Sequence, residues 1–179
     1  MTGGILGLVL AGGGSTRFGS DKALAVFDGR SLLEHARATV GQWCGEVVVV
    51  GRDDAPVPCL PDWPGPGLGP LGGLAAGLRH ARASGYEAVL VLGVDSPGLP
   101  LDLLEMLQPG PAYVESQPVI GLWPVSVLAA VEGLLKGDGR RSMYALAKET
   151  GARGVVLDAS PANINTQSDL ASLSGKSAD

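Results

Sequence analysis

The 179-residue chain is short of positive charge, with 13 Lys and Arg against 18 Asp and Glu and a formal net charge of -5. Sequence-independent binding to DNA or RNA depends on clustered cations that neutralise phosphates, so this balance argues against a nucleic-acid partner. An acidic protein can still hold a polyanionic small molecule, provided one compact motif concentrates the donors. Cysteine is scarce too. Cys44 and Cys59 have neither the number nor the spacing of a disulfide framework or a zinc site, and they read as reduced, partly buried thiols. No apolar run reaches the roughly 18 residues of a membrane span. No charged segment followed by an apolar stretch and a cleavage site marks export, so the expected compartment is the cytoplasm, with no membrane partner. The two histidines, His35 and His80, fall on expected helices without a catalytic partner, and Ser, His and Asp do not assemble into a hydrolase constellation.

What is present suits one folded domain: 45% apolar residues can bury a sizeable core, and 17% charged is too few for a disordered chain. The expected organisation is a domain over residues 1–173 with a flexible tail at 174–179. Ile5 to Leu10 is wholly apolar, which suits a strand buried on both faces of a parallel sheet. Ser31-Leu32-Leu33-Glu34 reads as a capping box ahead of the helical stripe Leu32, Leu33, Ala36 and Val40. Val47 to Val50 is a second strand, Pro70 to Ala83 a helix, and Ala88 to Val94 the third and most apolar strand. Beyond these, weaker patterns predict helices at Leu101 to Leu107, Val125 to Leu135 and Ser142 to Glu149. Short strands are expected at Ala112 to Glu115, Val119 to Trp123 and Gly154 to Asp158. A last helix starts near Thr166, with Asp169 where a capping partner sits. Asp53 to Gly69, rich in Pro and Gly, reads as a long surface loop of the functional kind. The fold class is α/β, a single-domain three-layer Rossmann-like sheet, mostly parallel, with helices on both faces. Ligands of such folds bind outside the carboxyl ends of the strands, which directs attention past Leu10, Val50 and Val94.

Past Leu10 the chain reads Ala11-Gly12-Gly13-Gly14-Ser15-Thr16-Arg17-Phe18-Gly19-Ser20-Asp21-Lys22. Consecutive glycines let successive N–H groups point at one anion, Arg17 offers a planar fork, and Lys22 a point charge. No G-x-G-x-x-G can be laid on this stretch, and Ser20-Asp21 stands where a P-loop requires Lys-Ser/Thr. The alternative is a flexible loop with two solvated cations. Past Val94, Asp95 stands at the carboxyl end of the most apolar strand. A carboxylate there suits Mg²⁺, which favours one or two carboxylates plus phosphate oxygens. Its alternative is a cap for the following helix or a turn with Pro97. Asp62, in the Pro-rich loop, reads on its own as an exposed acid.

Together these segments resemble the MobA-like nucleotidyltransferases, and within them the molybdenum cofactor guanylyltransferases. The resemblance lies in Leu10-Ala11-Gly12-Gly13 with Arg17, Gly19, Asp21 and Lys22, and in Gly69-Pro70-Leu71-Gly72-Gly73. It continues in Asp95-Ser96-Pro97 with Leu99-Pro100, and in Asn163-Ile164-Asn165-Thr166 with Asp169-Leu170. It implies transfer of GMP from GTP to the phosphate of molybdenum-bearing molybdopterin, with Mg²⁺ required and pyrophosphate released. Other cofactor-biosynthesis proteins would be possible partners. Carried over by position, Leu10, Ala11, Gly12 and Gly13 would lie against the nucleotide, and Lys22 would contact its phosphates. Asp62 would contact the guanine nucleotide, and Asp95 the metal and nucleotide. Arg17, Lys22 and Asp95 would carry the catalysis, and Asn163 and Asn165 would face the acceptor. The chain departs from the pattern at Val50, where the family often has Asn, and at Gln117, where it often has His. The segment between Pro109 and Pro118 is short, which predicts a trimmed hairpin. Competing readings are a CTP-using or sugar-phosphate relative, or a non-catalytic nucleotide-binding adaptor.

Overall fold

Strand β1 (Ile5–Leu10) is apolar throughout because it pairs in parallel on both sides and is covered on both faces. In the computed structural model, which describes residues 4–13 and 18–176, its neighbours are β4 (Glu46–Val50) and β6 (Ala88–Gly93). Between these come a two-strand ribbon, β2 (Val26–Phe27) and β3 (Arg30–Ser31), then helix α1 (Leu32–Gly41), edge strand β5 (Cys59–Leu60) and helix α2 (Gly69–Ser84). Then follow α3 (Leu103–Leu107), β7 (Ala112–Val114), β8 (Gln117–Pro124), α4 (Leu128–Lys136), α5 (Met143–Thr150), β9 (Arg153–Val155) and α6 (Gln167–Lys176). The main sheet has seven strands in the order β5-β4-β1-β6-β8-β7-β9; only β8 runs antiparallel to its neighbours.

Side-chain alternation along the strands builds two cores. Leu6, Leu8, Val48 and Val50 face α2, α4 and α5, while Val9, Val49, Leu90 and Leu92 face α1 and α3. The glycines of α2 let it lie close on this sheet. A Cβ at Gly77 would stand 2.6 Å from Leu8 Cδ2, and one at Gly73 2.6 Å from Leu10 Cδ2. The chain goes from β1 to β4 on one side, then crosses back to β6 on the other. That reversal opens a crevice at the carboxyl ends of β1, β4 and β6.

The capping box before α1 is complete: Glu34 N–H donates to Ser31 Oγ at 3.2 Å, and Ser31 N–H donates to Glu34 Oε2 at 2.7 Å. At the other end of the chain, the Asn165 and Thr166 N–H groups donate to Asp169 Oδ2 at 2.9 and 2.8 Å, ahead of α6. Differences from the expected pattern are local. The loop Asp53 to Gly69 contains β5, which pairs in parallel with β4 and packs Leu60 and Cys59 against the two cores. The strand expected at Gly154 to Asp158 is β9, shifted to Arg153–Val155 because its register with β7 ends at Val114. The hairpin between β7 and β8 turns at Glu115 and Ser116 alone, since Val114 already pairs with Gln117. Helix α6 continues to Lys176, into the segment expected to fray, with no Pro to stop it.

Candidate functional site

The carboxyl ends of β1, β4 and β6 open onto a cleft of about 880 Å³, wide enough for a nucleoside triphosphate. Two loops form its floor. Ala11 N–H donates to the Val50 carbonyl at 2.9 Å, and Gly12 then passes directly over Gly51. A Cβ on Gly12 would lie 2.7 Å from Gly51 Cα, and Gly51 has φ +92°, so both positions demand glycine. The backbone therefore comes to the cleft wall bare of side chains, as close approach by phosphate requires.

Lys22 enters on a 3-10 turn, Lys22–Leu24, whose cap is Asp21; its carboxylate accepts from Ala23 N–H at 3.2 Å. Lys22 Nζ lies 3.8 Å from Asp95 Oδ2, and Asp95 follows directly on β6 and Val94. The cation expected from the first loop and the carboxylate expected after the third strand thus meet in one cleft. Asp95 caps no helix: α3 starts beyond Asp102, which itself makes no side-chain cap. The Asp95 carbonyl accepts from Ile164 N–H at 2.9 Å, which draws the far C-terminal segment to the site. Asn165 lines the cleft; Asn163 is exposed and outside its lining. Leu10, Ala11, Gly12, Gly13 and Asp62 line it as well. Arg17 lies outside the described residues.

Asp62 is held over the opening by its neighbour. Trp63 N–H donates to the Gly72 carbonyl at 3.2 Å, and the Arg79 guanidinium lies 4.5 Å above the Trp63 ring. Burial raises the Asp62 pKa above its ordinary value, and no cation among the described residues opposes the shift. Val50 is fully buried beside it, with no polar atom to offer a base. His35 Nε2 bonds the Phe27 carbonyl at 2.6 Å, and His80 lies 3.2 Å from Glu46. Neither histidine lines the cleft.

Arg52 escaped the sequence reading. It stands just past β4, at one of the three strand ends the fold rule singles out, so that rule could have found it. Its guanidinium forks onto Asp21 at 3.2 and 3.0 Å and onto Asp54 at 2.6 and 3.0 Å. The bond to Asp54, then that to Asp21, push its pKa further up, and Asp54 is correspondingly lowered. Arg52 thereby straps the β4 loop to the residue preceding Lys22.

The described lining carries Asp21, Asp53, Asp54, Asp62 and Asp95 against Lys22 and Arg52, and two of those acids already occupy Arg52. A triphosphate entering such a cleft needs further positive charge. No group of three or more His, Cys, Asp or Glu side chains among the described residues is arranged to cage a metal ion. Asp95 alone, with substrate oxygens and water completing the shell, fits the habits of Mg²⁺.

A largely parallel α/β sheet with bare glycine backbone, a lysine and a carboxylate meeting at its strand ends is the arrangement of α/β proteins that take the phosphates of a nucleotide. The chain belongs to the MobA-like NTP transferase domain family, whose model matches residues 7–153. It is 40% identical to the molybdenum cofactor guanylyltransferase of Acidiphilium cryptum over 177 residues, covering 91% of this chain and 90% of that one. It is 37% identical to the molybdenum cofactor guanylyltransferase of Rhodobacter capsulatus, covering 93% of each. The fold matches molybdopterin-guanine dinucleotide biosynthesis protein A from Archaeoglobus fulgidus with a TM-score of 0.74 at 20% identity, covering 97% of this chain and 98% of the other. No helix among the described residues is long and apolar enough to cross a membrane.

Proposed function

We propose that this nucleotidyltransferase transfers the guanylyl group of GTP to the phosphate of molybdenum-bearing molybdopterin, forming a guanine dinucleotide and releasing pyrophosphate. The observation that carries the reading is the meeting of Lys22 and Asp95, 3.8 Å apart, with the Asn165 segment bonded to Asp95 at the same cleft. The names of the relatives supply the base and the acceptor.

An oxygen of the acceptor phosphate attacks the α-phosphorus, and the bond from that phosphorus to the bridging oxygen of the pyrophosphate breaks in line. The acceptor is already an anion, so no general base is needed, in keeping with two histidines that lie away from the cleft. The protein's task is to align two anions and offset their charge. The backbone at Leu10–Gly13 holds the nucleotide, and Lys22, with Arg17 from the same loop, meets the triphosphate. Asp62 suits guanine, whose N1–H and N2–H groups require an acceptor. Asp95 would hold Mg²⁺, which when bound supplies charge neutralisation at the phosphates. Asn165, and Asn163 more remotely, would face the acceptor. With GTP as donor, the cytoplasm is the compartment we infer.

The test is pyrophosphate release with each of the four nucleoside triphosphates, with and without molybdopterin and with Mg²⁺ or chelator. GTP should be preferred, and release should require both acceptor and metal. Preference for CTP would shift the assignment to a cytidylyl relative, and GTP binding without release would make the protein an adaptor.

A further inference from the structure

Asp95 and the segment Asn163 to Thr166 come to the cleft from distant parts of the chain, and one side chain joins them. Gln117 is the half-buried first residue of β8. Its amide nitrogen donates to the Ala162 carbonyl at 2.9 Å and to the Pro161 carbonyl at 3.3 Å. Its amide oxygen accepts a short hydrogen bond from Ser96 Oγ. Ser96 is the one buried polar side chain among the described residues, and its hydroxyl lies 3.4 Å from Asp95 Oδ1. The Ile164 N–H closes the circuit on the Asp95 carbonyl at 2.9 Å. Reversing the Gln117 amide would set its oxygen against two carbonyl oxygens, so this orientation is the one that joins Ser96, Pro161 and Ala162. Neither an apolar nor an acidic side chain could make all these bonds, and buried groups left unpaired are costly.

We propose that Gln117 is a positioning residue for the transfer, fixing the chain at Asp95–Ser96 through the Ser96 hydroxyl and the acceptor-side segment through the carbonyls of Pro161 and Ala162. Asp95 belongs to the nucleotide side of the cleft and Asn165 to the other. A single amide holding both keeps their separation constant, which is what in-line attack between two bound anions requires. The description of Asn165 as acceptor-side rests on the guanylyl-transfer reading; the physical tie does not.

Three variants test it. Gln117→Met has similar length and no hydrogen bonds. Gln117→His, assayed at pH 8 where imidazole is neutral, can donate from one ring nitrogen and accept at the other. Ser96→Ala cuts only the branch from Gln117 to the chain at Asp95–Ser96. Each is compared with wild type by pyrophosphate-release kinetics, by calorimetric titration of GTP, and by hydrogen exchange over residues 161–165. Gln117→Met is expected to lower kcat/KM for the acceptor by about tenfold or more, the scale of a small misplacement, with GTP affinity preserved. Exchange over the segment should accelerate in the same variant. Gln117→His should recover part of both, and Ser96→Ala should lower kcat while leaving exchange in place. Wild-type kinetics alongside faster exchange would overturn the positioning role, as would an equal loss of GTP and acceptor binding. Unchanged exchange would overturn the tie itself. Should Gln117→Met not fold, Gln117→Glu carries the same comparison, since it keeps the acceptor for Ser96 and loses the donors to the carbonyls. If wild type releases no pyrophosphate from GTP, the functional reading fails instead, and the exchange measurements still decide the tie.

Discussion

Lys22 is only 16% exposed and is aimed at Asp95 across the cleft, so it can meet a phosphate without a large rearrangement. Lys22→Ala should reduce turnover by more than about tenfold, the least that loss of one electrostatic donor costs, with little change in thermal stability. Steady-state pyrophosphate release checks this, and an unaltered rate would remove the first loop from the mechanism. Asp62 makes the opposite kind of contribution to stability. Burial raises its pKa in the folded protein, so ionisation favours the unfolded chain. The stability tied to the neutral form is fully present below the unfolded value and is lost as pH rises through the folded one. Asp62→Asn removes the buried charge and should raise the thermal midpoint of the unliganded protein at neutral pH, while weakening GTP binding. A lower midpoint in that variant would identify Asp62 as a structural acid.

Two loops from different strands share one crossing at Gly12 and Gly51, and neither has room for a side chain there. Gly12→Ala forces backbone apart instead of a flexible side-chain tip. It should cost about 1–3 kcal/mol, the usual penalty of overpacking, and weaken nucleotide binding because the Leu10–Gly13 backbone moves with it. Chemical denaturation and GTP titration read the two effects. The strap from Arg52 to Asp21 adjoins the same crossing and braces the 3-10 turn that carries Lys22. Helix α6 reaches the first loop as well, since Gln167 Nε2 donates to Ser20 Oγ at 3.2 Å.

At the scale of the whole molecule, the candidate site lies at one end of the sheet and a separate polar cluster at the other. Glu46, at the amino end of β4, accepts from Tyr86 Oη at 2.6 Å and lies 3.2 Å from His80 Nε2. The Tyr86 hydroxyl first, then His80, hold the Glu46 carboxyl below its ordinary value. Its contribution to stability is present above the unfolded value and lost as pH falls through the lowered folded one. Glu46→Gln should therefore flatten the acid limb of the thermal midpoint below about pH 4.5 without altering turnover at neutral pH. An acid limb parallel to that of wild type would mean that other carboxylates govern it.

Much of the design could be read from the chain because it is written locally. Strand β1 announces its burial in six consecutive apolar residues, and Ser31 with Glu34, like Thr166 with Asp169, spells a cap within one turn of helix. The glycine loop and Asp95 were legible for a related reason: strand ends are where this architecture binds ligands, and the strands themselves were plain. What tertiary structure alone decided are partnerships between residues with no local relation. Arg52 meets Asp21 across 31 positions, and Gln117 meets Ala162 across 45. The short strands β2, β3 and β5 exist only because a neighbour offers an edge, a condition no window of two residues can encode. The Ile164 N–H bond to the Asp95 carbonyl draws this segment to the cleft, which Asn165 lines and Asn163 does not. Periodicity and capping act over a few residues, whereas the pairing of polar groups is settled only when distant segments compete for the same buried space.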